Sequence, residues 1–155
     1  MARHASASSP LPHSWHVPLH HPLRFPAAAL LVIAGIAHIP ITPEHLEEAP
    51  YIGILFIALT VVCFALALML LGQDTALVWA AVVVVTVAAV LAYLVSRMTA
   101  LPQIADDVGN WTDPLGLVSI TSEFLAATLA TAALASGQAQ RSATSTSADS
   151  RAAKR

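Results

Sequence analysis

Residues 51–72, YIGILFIALTVVCFALALMLLG, pass without one charged side chain. An apolar run of about 20 residues is what a helix needs to cross the hydrocarbon core of a bilayer. Three more runs of this kind are present, and the four together have approximate bounds 24–42, 51–72, 76–97 and 115–136. Charged residues make up 10% of the chain, against roughly 25% in an average soluble domain, so too few are available to clothe a water-facing surface. The expected fold is therefore all-α: a four-transmembrane-helix bundle over residues 24–136, with the lipid bilayer as its solvent.

The flanks read differently. Residues 1–23 are rich in Ser, Pro and His, without helical period, and read as a disordered His/Pro-rich tail. It carries His4, His13, His16, His20 and His21. Residues 137–155 are rich in Ser, Thr and Ala with Arg141, Arg151, Lys154 and Arg155, and read as a disordered basic tail. The lone Cys63 excludes a CxxC pair and an internal disulfide, and reads as a small buried apolar residue. No Gly-rich phosphate loop and no basic aromatic patch is present, which removes nucleic acid as a partner.

Four spans place both termini on one face. That face carries six of the seven Lys and Arg residues, Arg3, Arg24, Arg141, Arg151, Lys154 and Arg155, and the other carries only Arg97. Because Lys and Arg accumulate on the cytoplasmic side, the reading is a multi-pass cell-membrane protein with cytoplasmic N- and C-termini. Tyr51, Trp79, Tyr93 and Trp111 fall near predicted span boundaries, where amphipathic rings favour the lipid–water interface.

The unusual chemistry sits in two places. Between the first two spans, Ala37 to Pro50 packs His38, Glu44, His45, Glu47 and Glu48 among three prolines. Pro40 and Pro43 end the first helix, and Thr42-Pro43-Glu44 looks like the cap, first position and acidic first turn of a short surface helix. On that helix Glu44, His45 and Glu48 share a face. The second place is Glu123, which with His38 is the only ionisable residue expected at apolar depth. An intramembrane charge is costly and normally faces the bundle interior with a partner or a function. Leu31, Ala34, Gly35 and His38 form one stripe, and Ser119, Glu123, Ala126, Ala127 and Ala130 another, with small residues permitting close approach. Thr86, Tyr93 and Arg97 share a face on the third span.

Three readings of these residues stand side by side. His38 and Glu123 act as packing glue through hydrogen bonds, or they handle protons or ions, or His38, Glu44, His45, Glu48 and Glu123 hold a metal. Nitrogen and oxygen ligands without thiolate suit Zn, Mn, Fe or Cu(II). Tyr93, Arg97, Asp106, Asp107, Asp113 and Ser119 form the expected supporting polar cluster. No nucleophile setting is recognisable around Ser119 or Ser122, and no residue is singled out as catalytic, so the pattern points away from an enzyme.

The segments PEHLEE (43–48), YLVSRMTALP (93–102) and DDVGNWTDPLG (106–116), with a glutamate in the following helix, resemble a group of small four-helix membrane proteins of high-GC actinobacteria. The resemblance covers about residues 30–130. It implies the four-helix architecture and the choice of His38, Glu44, His45, Glu48, Arg97 and Glu123, and no mechanism. The expected function is a membrane protein whose outer-leaflet His/Glu cluster binds a metal ion or handles protons, as an accessory to a redox or transport complex. The alternatives are a purely structural subunit, with a membrane-protein partner or a second copy, and a small proton-coupled exporter.

Overall fold

The computed structural model describes Leu19 and residues 21–153. Most of the expected N-terminal tail, including His4, His13, His16 and His20, lies outside the described residues, as do Lys154 and Arg155. Among the described residues every regular element is helical: α1 (Arg24–His38), α2 (Thr42–Glu48), α3 (Pro50–Gly72), α4 (Ala76–Met98) and α5 (Pro114–Ala153), with a single 3₁₀ turn at Ala105–Asp107. Three of them, α3, α4 and residues 114–139 of α5, are long and apolar enough to cross a membrane. Together α1 and α2 meet the same test as a pair bent by 48°, so the architecture is a helical, multi-pass membrane bundle with three or four spans.

Two prolines account for the bend. Proline has no amide hydrogen and disfavours helical geometry in the residue before it, and α1 stops at His38, with Ile39 donating back to the Ile36 carbonyl at 3.1 Å. At 15 residues and about 1.5 Å per residue, α1 is shorter than the hydrocarbon core. The expected first span of 24–42 is thus a shorter helix followed by a turn. Thr42 does not cap α2 as its sequence suggests. Its hydroxyl instead donates to the His38 carbonyl at 2.7 Å, which satisfies the end of α1, and Ile41 occupies the cap position without a side-chain bond. At its other end α2 lies against Gly53 of α3, where an added Cβ would stand 2.8 Å from the Leu46 backbone nitrogen.

The helices neighbour one another in the order α3–α1–α5–α4, and α3 meets α4 less than it meets α1 although a tight turn joins them. The outer faces are apolar and exposed, with Leu68 71% and Val84 67% accessible, which in water would be a liability and in lipid is the required surface. Inside, the core changes character along its length. At the end holding the α3–α4 turn it is apolar, built from Ala27, Leu31, Leu66, Leu70, Trp79, Val82, Ala130 and Ala133. At the other end, bounded by α2 and the 99–113 loop, the buried groups include His38, Arg97, Ser119, Ser122 and Glu123. The hydroxyl of Tyr51 ties the two segments of that loop end, donating to the Pro102 carbonyl at 2.7 Å.

Two sequence expectations change here. Trp79 is fully buried rather than at the lipid interface. Its indole donates to Asp74 Oδ1 at 2.6 Å, and the Asp74 Oδ2 atom accepts from the His21 amide at 2.7 Å. Arg24 approaches the same oxygen at 3.9 Å, and Leu19 donates to the Asp74 carbonyl at 2.8 Å. Asp74, at φ +43° in the α3–α4 turn, therefore straps the segment before α1 to the turn end of the bundle. The second change is that α5 continues to Ala153, so residues 137–153 are helical where the sequence suggests a structureless tail. Ala, Gln and Arg are good helix formers, and no proline follows Pro114 to stop the helix.

Asp74→Ala leaves the buried Trp79 indole and the His21 amide without their acceptor, at about 1–3 kcal/mol each. Unfolding in detergent is expected to show a loss of about 3 kcal/mol, with a smaller loss for Asp74→Asn, which keeps one oxygen acceptor. Equal losses in the two variants would show that the strap depends on the charge beside Arg24 rather than on the acceptor.

Candidate functional site

The loop-end core is built on the last turn of α1 and the first three turns of α5. His38 is 5% and Glu123 2% exposed, so both have left solvent almost entirely. His38 Nδ1 lies 2.7 Å from the Ala34 carbonyl one turn back. A carbonyl can only accept, so Nδ1 carries a proton and the other ring nitrogen, Nε2, is directed across the helix interface. There it meets Ser119 Oγ at 3.4 Å and Glu123 Oε1 at 4.0 Å. Ser119 donates to the same carboxyl oxygen at 3.1 Å. The spacing of four between Ser119 and Glu123 puts them on one face of α5, and the small residues Ala34 and Ala126 allow α1 and α5 to approach closely.

The hydrogen count decides what this arrangement can do. Ser119 has one proton to give and two neighbours that accept, Glu123 Oε1 and the unprotonated Nε2. One additional proton completes the chain, either as imidazolium donating to Ser119 and Ser119 to carboxylate, or as carboxylic acid donating to Ser119 and Ser119 to imidazole. The two forms have the same net charge and opposite hydrogen-bond directions, the first an ion pair and the second with both side chains neutral. Thus the three side chains have hydrogen-bonding capacity for one added proton. Thr86 of α4 and Ser122 of α5 are buried at the same end, but their hydroxyls return to backbone carbonyls of their own helices at 2.7 and 2.8 Å.

The five residues expected as metal ligands are not brought together. Glu44 and Glu48 are exposed on α2, which the bend has turned away from α1. His45 binds its own backbone at Ile41 through Nδ1, 2.9 Å away. Phe56 of α3 contacts both imidazoles, with ring centroids 5.0 Å from His38 and 4.9 Å from His45, so an apolar ring occupies the place where the two histidines would share an ion. Among the described residues no group of three or more His, Cys, Asp and Glu side chains has the proximity to hold a metal. Only His38 and Glu123 of the expected set meet.

The supporting residues divide. Ser119 belongs to the cluster, whereas Arg97 forms an ion pair with Asp107 and also donates to the Asp107 carbonyl at 3.3 Å. The guanidinium stacks on Tyr93, with Cζ 4.8 Å from the ring centroid, and Tyr93 in turn meets Trp111 edge-on. Asp113 caps α5 by accepting from Gly116 N at 2.7 Å, the ordinary role of Asp at a helix start. Asp106 is exposed. Phe56 is the residue that sequence reasoning passes over, and an aromatic in an apolar run gives no signal of its place between two histidines. Asp74 did carry a signal, an acid in a tight turn with a Trp five positions on.

Gly53→Ala forces a methyl group against α2, and overpacking of this kind costs about 1–3 kcal/mol. Amide exchange over residues 42–48 is expected to accelerate while α5 stays protected. Unchanged exchange there would show that α2, and His45 with it, does not depend on contact with Gly53. No protein-family model, curated protein or solved structure matches this chain.

Proposed function

We propose that this chain is a four-span membrane protein whose outer-half cluster of His38, Ser119 and Glu123 binds and releases a proton, in the service of a larger redox or transport assembly. The observation that carries the reading is the buried contact of His38 and Glu123 through a serine with a single proton to share. Ionisable groups at this depth are costly, rare and usually functional, and this pair joins two different helices.

Four spans follow if the bent pair α1–α2 crosses as one. Six of seven Lys and Arg on the face of the termini support a cytoplasmic location for both ends, which puts α2, the 99–113 loop and the cluster toward the outside. The resemblance of PEHLEE, YLVSRMTALP and DDVGNWTDPLG to segments of small actinobacterial membrane proteins favours the same architecture. Metal binding is the weaker reading, because His45, Glu44 and Glu48 stand apart from His38 and Glu123. Packing glue is the reading to be beaten, since the His38–Ser119 and His38–Glu123 contacts also hold α1 against α5.

Infrared spectroscopy of the carboxyl stretch separates the two. A pH titration of the purified full-length chain in lipid nanodiscs is expected to show a carboxyl band that appears and disappears with pH, and Glu123→Gln is expected to lack it. Gln still accepts from Ser119, so the variant should unfold within about 1 kcal/mol of the native chain, the net worth of one hydrogen bond. A spectrum that does not respond to pH, or responds identically in Glu123→Gln, would leave the cluster as a structural contact.

A further inference from the structure

Two buried side-chain atoms make no hydrogen bond among the described residues, the Tyr93 hydroxyl and Arg97 Nε. They are neighbours, since the guanidinium lies on the Tyr93 ring. Arg97 as a residue is only 7% exposed. A buried polar atom without a partner costs about 1–3 kcal/mol, and in native proteins such atoms are the usual places where internal water is held.

Their position gives this meaning. An added Cβ on Gly116 would stand 2.9 Å from Tyr93 Cε2 and 3.5 Å from Arg97 Nη2, so both side chains lie on α5 at Gly116. Ser119 is one turn further along α5 and Glu123 two turns, about 4.5 Å and 10 Å of helix rise. On the other side, Arg97 reaches Asp107, whose side chain is 22% exposed and meets the loop-end surface. A free anion does not suit the gap, because the carboxylates of Asp107 and Asp113 flank the guanidinium. A neutral molecule that both accepts and donates does, and water is the smallest.

We propose that the α4–α5 seam at Tyr93 and Arg97 is a hydrated passage by which protons travel between the loop-end surface and the His38–Ser119–Glu123 site, an inference that rests on the proton-binding reading of that site. The two residues have different parts. Arginine only donates and keeps its proton, so Arg97, anchored by Asp107, orients a water oxygen. A phenol hydroxyl both donates and accepts, so Tyr93 passes a proton on: its O–H proton leaves toward the cluster as a water proton bonds to its oxygen, and the residue ends as it began. The ionisable groups facing the site and the seam are His38 from α1, Cys63 from α3, within electrostatic reach of Glu123, Tyr93 and Arg97 from α4, Asp107 and Asp113 from the loop before α5, and Glu123 itself from α5. Tyr93 is the one that lies between the cluster and the surface and carries a proton it can exchange.

The test follows the Glu123 carboxyl stretch after a rapid pH jump, with the full-length chain in nanodiscs. Tyr93→Phe retains the ring that packs on Arg97 and Gly116 and removes only the hydroxyl. It is expected to leave the equilibrium titration in place and slow the exchange by about a hundredfold, the low end for a positioned proton-transfer group. Tyr51→Phe, which removes a hydroxyl bound to the Pro102 carbonyl away from the seam, is the control and is expected to exchange at the native rate. An unchanged rate in Tyr93→Phe, or equal slowing in both variants, overturns the passage while leaving the proton site intact. A native Glu123 band that never responds to pH overturns both.

Discussion

An ionisable side chain placed in hydrocarbon has no water to turn to, so its hydrogen bonds must come from the protein. That constraint separates the two ends of this bundle. At the turn end the helices meet through Ala, Leu, Val and the Trp79 ring, and one acid, Asp74, takes its side-chain contacts from Trp79 of α4, Arg24 of α1 and the segment before α1. At the loop end the buried groups include polar ones, and His38 and Arg97 reach partners on other elements. His38 on α1 can meet Glu123 on α5 because Ala34 and Ala126 let those helices close in, while Gly35 gives room to Phe64 and Cys63 of α3. A larger residue in those rows would separate the two polar groups and leave each of them buried alone.

The bend between α1 and α2 has consequences beyond its length. By ending α1 at His38, it puts that imidazole on the last turn, where its ring is held by the Ala34 carbonyl and its backbone carbonyl is taken by Thr42. A helix continued through residue 42 would have used that carbonyl internally and carried Glu44 and His45 upward on the same axis. The observed turn sends them to the exposed face of α2 instead, and Phe56 fills the space behind. The prolines thus decide which histidine faces Glu123.

Much of this was legible in the sequence. The apolar runs marked α3 and α4 to within a residue or two because uncharged segments of that length have few other uses. The stripe of Leu31, Ala34, Gly35 and His38 was visible from helical spacing, and the structure buries all four. Spacing could not tell which helices are neighbours, so it could not show that His38 meets Glu123, or that Arg97 turns to Asp107 in a loop ten residues away. Nor does a Trp near a span boundary announce its environment: Trp79 went inward because an acid in the adjoining turn offered its indole a partner. The helical course of residues 137–153 was hidden by composition, since Ser and Thr suggest a loose segment whereas Ala and the lack of proline permit a helix.

The division of the core also bears on how a proton site of this kind remains specific. A carboxyl and an imidazole in contact could discharge each other toward either face of a membrane. Here the apolar packing of Leu31, Leu66, Leu70 and Val82 lies on the side of the termini, with the polar contacts of Asp74, the Trp79 indole and His21 at the far end of it. The polar side chains Tyr93, Arg97 and Asp107 lie toward the loops. If the cluster binds a proton as proposed, this apolar floor and polar roof favour exchange toward the loop end, because hydrogen-bonding side chains lie on that side of the cluster and aliphatic ones on the other.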